Sequence, residues 1–195
     1  MCTQCHALLD PSSEATPFDL LGLETAYALD EQVLRKALLR YSRMLHPDFH
    51  GADEDSRSRA ERNTADLNAA HELLQDDFRR AAWLVTHLGG PSQHDERKMP
   101  PVFLVEALDW NETIEEAQTA EPGSPAFDAL ESLETELVGQ REETMATVAG
   151  ALTPLPDRGS ETLTTVRRHL NAVRYLDRAL GEIRERKLAA LSTPH

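Results

Sequence analysis

Apolar residues recur every three or four positions along nearly the whole chain, and this spacing limits the fold more than any other feature. Leu34, Leu38, Tyr41 and Leu45, for example, stand at i, i+4, i+7 and i+11, which places them on one face of an α-helix. The clusters of β-branched residues bounded by turn residues that mark β-strands are missing. The sequence therefore predicts an all-α fold whose helices pack through apolar faces.

The composition is that of a globular protein with a strong negative charge. The chain has 195 residues, of which 40% are hydrophobic and 28% charged, so one medium domain or two small ones are expected. The formal net charge of −14 opposes binding to nucleic acid, because that binding depends on Lys and Arg displacing counterions from phosphates. No apolar run approaches the ~20 residues that cross a bilayer.

The first residues carry no recognisable targeting signal. They have neither the basic region nor the apolar run of a secretory signal, and no Arg precedes Arg35, whereas a mitochondrial transit peptide is rich in Arg. We therefore expect a protein of a bacterial-type cytoplasm.

Turn residues divide the helical pattern into two domains. We expect an N-terminal segment at 1–16, a first domain at 17–90, a polar linker at 91–99 and a second domain at 100–195. In the first domain a short helix with Gly22 at its end precedes a helix that begins at Asp30 and ends at Pro47. A return helix follows, with a predicted buried stripe of Ala60, Thr64, Leu67, His71 and Leu74. The second domain has three helical stretches joined by short loops, which predicts a three-helix bundle.

The tripeptide His46-Pro47-Asp48 lies where the second helix meets a polar loop. The helix before it carries Lys36, Arg40 and Arg43 at i, i+4 and i+7, which forms a basic ridge on an otherwise acidic chain. A local reversal of charge of this kind steers an acidic partner to one surface. The alternative is that the tripeptide merely ends a helix, since histidine is favourable near a helix C-terminus and aspartate in a turn.

The order of short helix, basic helix, His-Pro-Asp, polar loop and return helix resembles a J-domain. Two further stretches, Phe78-Arg79-Arg80-Ala81-Ala82-Trp83-Leu84 and Phe103-Leu104-Val105-Glu106-Ala107-Leu108-Asp109, resemble the HscB family of co-chaperones, and the resemblance spans about residues 17–190. It implies a protein that is not an enzyme. It also implies that His46, Pro47, Asp48 and the basic ridge engage a DnaK/HscA-type ATPase chaperone, while the second domain delivers an IscU-type iron–sulfur scaffold protein.

The same resemblance implies which residues contact the scaffold protein, here called the client. They are Leu104, Val105, Leu108, Asp109, Glu112, Glu116 and Tyr175. Between Met99 and Glu121 the chain has six acidic residues and no Lys or Arg, which also fits an acidic binding face. The alternative is that Leu104 and Leu108 are ordinary core and that the acids form a solvated face. Val105 in place of a frequent Met, and Trp110-Asn111 in place of an aliphatic–basic pair, depart from the family pattern.

Cys2 and Cys5, with His6 next to them, resemble half of a zinc-binding module found in some members of the family. Structural zinc needs four ligands, so the pair alone is an incomplete site. Three interpretations remain open: a degenerate remnant, a half-site completed by another molecule, and a translation start assigned too far along the gene. A redox role is disfavoured because Cys-x-x-Cys redox motifs belong to βαβ folds. We expect no cofactor other than zinc at this pair.

Two other functions remain as alternatives. One is a J-domain co-chaperone for a different client, to which the departures at Val105 and Trp110 would point. The other is a small metal-dependent enzyme that uses His46, Asp48, His50 and the cysteines. No second histidine, cysteine or carboxylate pair stands at a spacing that would complete a catalytic site around His46.

Overall fold

The computed structural model describes residues 14–45 and 54–192, and within these ranges the chain forms seven α-helices and no β-strand. The predicted all-α fold is confirmed. The chain divides into two compact units, Met1–Ala81 and Ala82–His195, and the division lies inside the fourth helix.

The first unit contains three complete helices and the start of a fourth. They are α1 (Pro17–Leu21), α2 (Glu31–Leu45), α3 (Glu54–Gln75) and α4 (Asp77–His87), of which the last continues into the second unit. Local chemistry sets the helix ends as the sequence predicts. Gly22 ends α1 with a φ of 61°, and the Asp30 carboxylate begins α2 by accepting the backbone N–H groups of Gln32 and Val33 at 2.7 and 3.2 Å.

Helix α3 is the centre of the first unit, because both α1 and α2 pack against it. Its buried side is therefore wider than the predicted stripe. Ala60, Leu67 and Leu74 are buried as predicted, but Asn63 and Ala70 are buried as well. Thr64 and His71 were also predicted to be buried, but both residues are only partly buried.

A buried arginine in the first unit binds backbone carbonyls at the C-terminal end of α3 and in the loop between α1 and α2. Arg80 is only 6% exposed, and its Nε donates a hydrogen bond to the carbonyl of Tyr27 at 2.8 Å. Its other nitrogens donate to the carbonyl of Leu74 and to the carboxylate of Asp77. Leu74 lies in the last turn of α3, where carbonyls have no partner within the helix, so Arg80 caps α3 and ties it to the loop between α1 and α2.

The second unit contains three long helices. They are α5 (Pro101–Glu116), which continues as a 3-10 turn at Ala117–Thr119, α6 (Pro125–Ala151) and α7 (Glu161–Ser192). Each of the three packs against the other two, which matches the expected three-helix bundle. The bundle core is contributed by all three helices and comprises Phe103, Ala107, Trp110, Ile114, Leu130, Leu133, Leu137, Leu176, Leu180 and Ile183, among others.

Residues 91–99, which the sequence indicates as a linker, are held along α7 by hydrogen bonds. Arg168 donates twice to the carboxylate of Glu96, at 3.1 and 2.9 Å, and Asn171 Nδ2 donates to the carbonyls of Glu96 and Lys98, both at 2.9 Å. The backbone N–H of Lys98, followed by Arg168, lowers the pKa of Glu96. Arg167 Nε donates to the carbonyl of Pro91 at 3.0 Å. This segment is therefore part of the packed second unit.

Candidate partner-binding surfaces

Helix α5 carries two apolar faces, and only one of them is buried. Phe103, Ala107, Trp110 and Ile114, spaced at three or four residues, pack into the bundle core. Leu104, Val105 and Leu108 point the other way and are 51%, 67% and 66% exposed. The interpretation of Leu104 and Leu108 as ordinary core is therefore wrong.

The acidic residues of α5 extend this exposed face. Asp109, Glu112 and Glu116 are exposed, and their carboxylates form no ion pair with the described residues. Glu106 differs, since it is half-buried and accepts a hydrogen bond from Gln140 Nε2 at 2.6 Å. We call the exposed set the α5 surface; it consists of Leu104, Val105, Leu108, Asp109, Glu112 and Glu116.

Tyr175 of α7 lies beside α5, the helix that carries the other residues that the family resemblance assigns to the client. Its ring packs edge-on against Phe103, with centroids 5.7 Å apart, and lies 6.4 Å from the ring of Trp110. Its hydroxyl is 2.9 Å from Asn111 Nδ2, which donates to it. Tyr175 is half-buried, so part of its ring is available to a partner.

The three residues that depart from the family pattern differ in exposure, and Val105 is 67% exposed. Trp110 is buried in the bundle core and does not form part of the exposed surface. Asn111 is exposed and bonds Tyr175, and sequence reasoning assigned it no role. The contact joins residues far apart in sequence, so no local pattern could have revealed it.

The basic ridge of α2 is on the solvent side of the first unit. Lys36, Arg40 and Arg43 are exposed, whereas Leu34 of the same helix is buried. The Arg40 guanidinium lies 5.5 Å from the centre of the Tyr41 ring, within the range of a cation–π contact. Leu45, the last described residue of α2, precedes His46 in the sequence. His46, Pro47, Asp48 and His50 themselves lie outside the described residues.

The described residues contain neither a cluster of metal ligands nor a membrane-spanning helix. Within residues 14–45 and 54–192 no group of three or more His, Cys, Asp or Glu side chains is placed to hold a metal ion. Cys2, Cys5 and His6 lie outside those ranges. No helix in the described part of the chain is long and apolar enough to cross a membrane.

Comparison with known proteins places the chain in a family. Residues 99–184 match the family model described as the HSCB C-terminal oligomerisation domain. A protein of Burkholderia mallei named Co-chaperone protein HscB homolog is 34% identical over 146 residues, which cover 73% of this chain and 81% of that protein. The homolog of the same name from Ralstonia nicotianae is 33% identical over 144 residues, covering 72% and 79% of the two chains.

Solved structures show the same fold. The crystal structure of human co-chaperone protein HscB matches with a TM-score of 0.77 and 23% identity, over 96% of this chain and 90% of the human one. Chaperone HscB from Vibrio cholerae matches with a TM-score of 0.68 and 23% identity, over 90% and 99% of the two chains. Together with the sequence relatives, these matches show that the chain belongs to the HscB family of co-chaperones.

Proposed function

We propose that this chain is a non-enzymatic co-chaperone with two binding surfaces. His46-Pro47-Asp48 and the basic ridge of α2 stimulate the ATPase of a DnaK/HscA-type chaperone. The α5 surface, with Tyr175, carries an IscU-type iron–sulfur scaffold protein to that chaperone. The protein works in the cytoplasm, where both partners are available to it.

The exposure of Leu104, Val105 and Leu108 carries the client half of the proposal. Three large apolar side chains in sequence proximity leave a contiguous apolar patch in water, although α5 already has a second apolar face in the core. Exposed apolar patches with a polar rim are typical of protein-binding sites. Asp109, Glu112 and Glu116 supply that rim and favour a client with basic residues around an apolar centre.

The basic ridge supports the chaperone half. Lys36, Arg40 and Arg43 are aligned and exposed on α2, whose last described residue, Leu45, precedes His46 in the sequence. On a chain with a net charge of −14 they attract an acidic partner to this side of the first unit. Because the ridge is next to the His-Pro-Asp motif in sequence, it supports docking of the chaperone at that motif.

Binding of the purified scaffold protein to full-length variants tests the client half. We expect Leu108→Asp to weaken binding by at least about thirtyfold, since a buried interface anchor is worth about 2 kcal/mol or more. Leu188→Asp is the matched control, because Leu188 is equally exposed at 65% but lies near the end of α7. Equal binding by both variants would contradict the proposed surface.

Stimulation of the chaperone ATPase tests the other half. His46→Gln should abolish stimulation, while His50→Gln, four residues further along the same stretch, should retain it. If stimulation survives His46→Gln, the motif is not the point of engagement.

Metal analysis of the purified chain and of a Cys2→Ser/Cys5→Ser variant decides whether zinc binds at the N-terminal pair.

A further inference from the structure

A groove of about 760 Å³ runs along α7 on the side of Tyr175 that faces residues 91–99. Its walls include His94, Arg97 and Met99 from that segment and Arg174, Tyr175 and Arg178 from α7. Three of these side chains are arginines, and no acidic residue lines the groove. This is unusual on a chain with a net charge of −14.

Packing fixes the shape of the groove. Asn171, which is buried, holds the carbonyls on both sides of Arg97 through its Nδ2, and Arg168 holds the carboxylate of Glu96. Arg97 itself lies against His94. Its Nε donates to the His94 carbonyl at 3.3 Å, and its Nη2 lies 2.8 Å from Nδ1 of the His94 ring. Arg97 is therefore presented opposite α7 by a backbone that is already ordered.

The charges of the groove are incompletely neutralised. Arg174 is exposed and forms no hydrogen bond or ion pair with the described residues. Burial is the main cause of the lowered pKa of Arg167, and the positive charge of the nearby Arg174 lowers that pKa further. Arg178 pairs with Glu182 at 3.0 Å, but both ends of this pair reach solvent, so the pair is weak. The groove thus keeps a positive potential.

Tyr175 connects this groove with the α5 surface. Its hydroxyl accepts a hydrogen bond from Asn111, an exposed residue of α5 on the same helical face as Leu104 and Leu108, and Tyr175 also forms part of the groove wall. A single partner that covers Tyr175 therefore meets an acidic surface on one side and a basic groove on the other. Such an arrangement of opposite charges fixes the orientation of a partner and rejects partners of the wrong charge pattern.

We propose that this basic groove binds an acidic segment of the same client protein that the α5 surface holds. The inference rests on the proposed function, because it takes the client to be the protein bound at α5. The client would present basic residues to Asp109 and Glu112, and carboxylates to Arg97 and Arg174. Continuity through Tyr175 favours the client over a second copy of this chain as the occupant.

The experiment compares charge reversals in the full-length protein by titrating the purified scaffold protein. Arg97→Glu/Arg174→Glu is compared with Arg79→Glu/Arg158→Glu, which changes net charge equally at exposed positions that do not line the groove. We expect about tenfold weaker binding for the groove variant, because exposed ion pairs contribute up to about 1 kcal/mol each. The control variant should bind the scaffold protein with an affinity within about twofold of the wild type. The affinity of the groove variant for the scaffold protein should depend less on salt concentration than that of the wild type.

The outcomes separate this inference from the proposed function. If Leu108→Asp abolishes binding while the groove variant binds as tightly as its control, the α5 surface stands and the groove inference is overturned. If the wild type does not bind the scaffold protein at all, the proposed function fails, and a fluorescent hexaglutamate peptide then tests the groove. Binding of that peptide to the wild type but not to the Arg174→Gln variant supports the groove, and absence of binding to the wild type overturns it.

Self-association is the remaining outcome. Sedimentation of the wild type and of the Arg174→Gln variant at the titration concentrations decides it. A wild-type dimer that becomes a monomer in the variant would show that a second copy occupies the groove, which overturns the inference. A monomer in both cases agrees with it.

Discussion

Replacing Arg80 by Leu should destabilise the first unit by about 3 kcal/mol. The substitution removes the donors that satisfy the carbonyls of Tyr27 and Leu74, and each buried acceptor left without a partner costs about 1–3 kcal/mol. The pair with Asp77 adds little, because that carboxylate is 67% exposed. Burial of the Leu side chain returns part of the cost, which places the net loss in the lower half of the range of about 2–6 kcal/mol.

Amide hydrogen exchange of the full-length protein measures this loss locally. Amides of α3 that exchange by opening of the first unit should exchange roughly a hundredfold faster in Arg80→Leu, whereas amides in the core of α6 and α7 should be unchanged. Arg79→Leu is the control, since Arg79 is exposed and its side chain makes no hydrogen bond with the described residues. Equal exchange rates in the two variants would refute the capping role of Arg80.

Three further predictions concern the second unit. Gly90→Ala should lower the melting temperature, because a Cβ there would lie 2.7 Å from that of Leu163, whereas Gly139→Ala, with open space around it, should raise it slightly; equal shifts would contradict this. Burial lowers the pKa of His169 below its usual value of 6.5. The unfolded chain therefore binds a proton at a higher pH than the folded chain, and the free energy of unfolding falls as the pH drops below about 6.5. His169→Asn should therefore reduce the difference in urea midpoint between pH 7 and pH 5, and an unchanged difference would exclude the effect. Asn171→Leu should release residues 96–98 and speed trypsin cleavage after Arg97, so unaltered cleavage would show that Asn171 does not hold them.

The helices and their ends were predictable because their signals are local. Asp30 begins α2 and Gly22 ends α1 through contacts with neighbours in sequence, and the period of the apolar residues identifies each helix. The sequence also placed Ala60, Leu67 and Leu74 correctly in the core, since they recur on one face of α3. Such features depend on residues no more than about four positions apart.

Helix α5 shows where the sequence alone was insufficient for the candidate site. Phe103, Ala107 and Trp110 share one helical face, and Leu104 with Leu108 share another, so the period predicts two possible buried faces. Family resemblance pointed to Leu104 and Leu108 as the exposed set, and the bundle confirms their exposure. Only the position of α6 and α7 decides which face is covered.

The sequence by itself determined the helices, the negative charge and the placement of His46-Pro47-Asp48 after a basic helix, because each is a property of neighbouring residues. The tertiary structure alone decided that Arg80 is buried, that residues 91–99 lie along α7, and that Tyr175 reaches Asn111. These features depend on polar groups that meet only when distant helices pack. A buried arginine or a polar linker has the same local pattern as a solvated one, and its environment is fixed by the partners that folding brings to it.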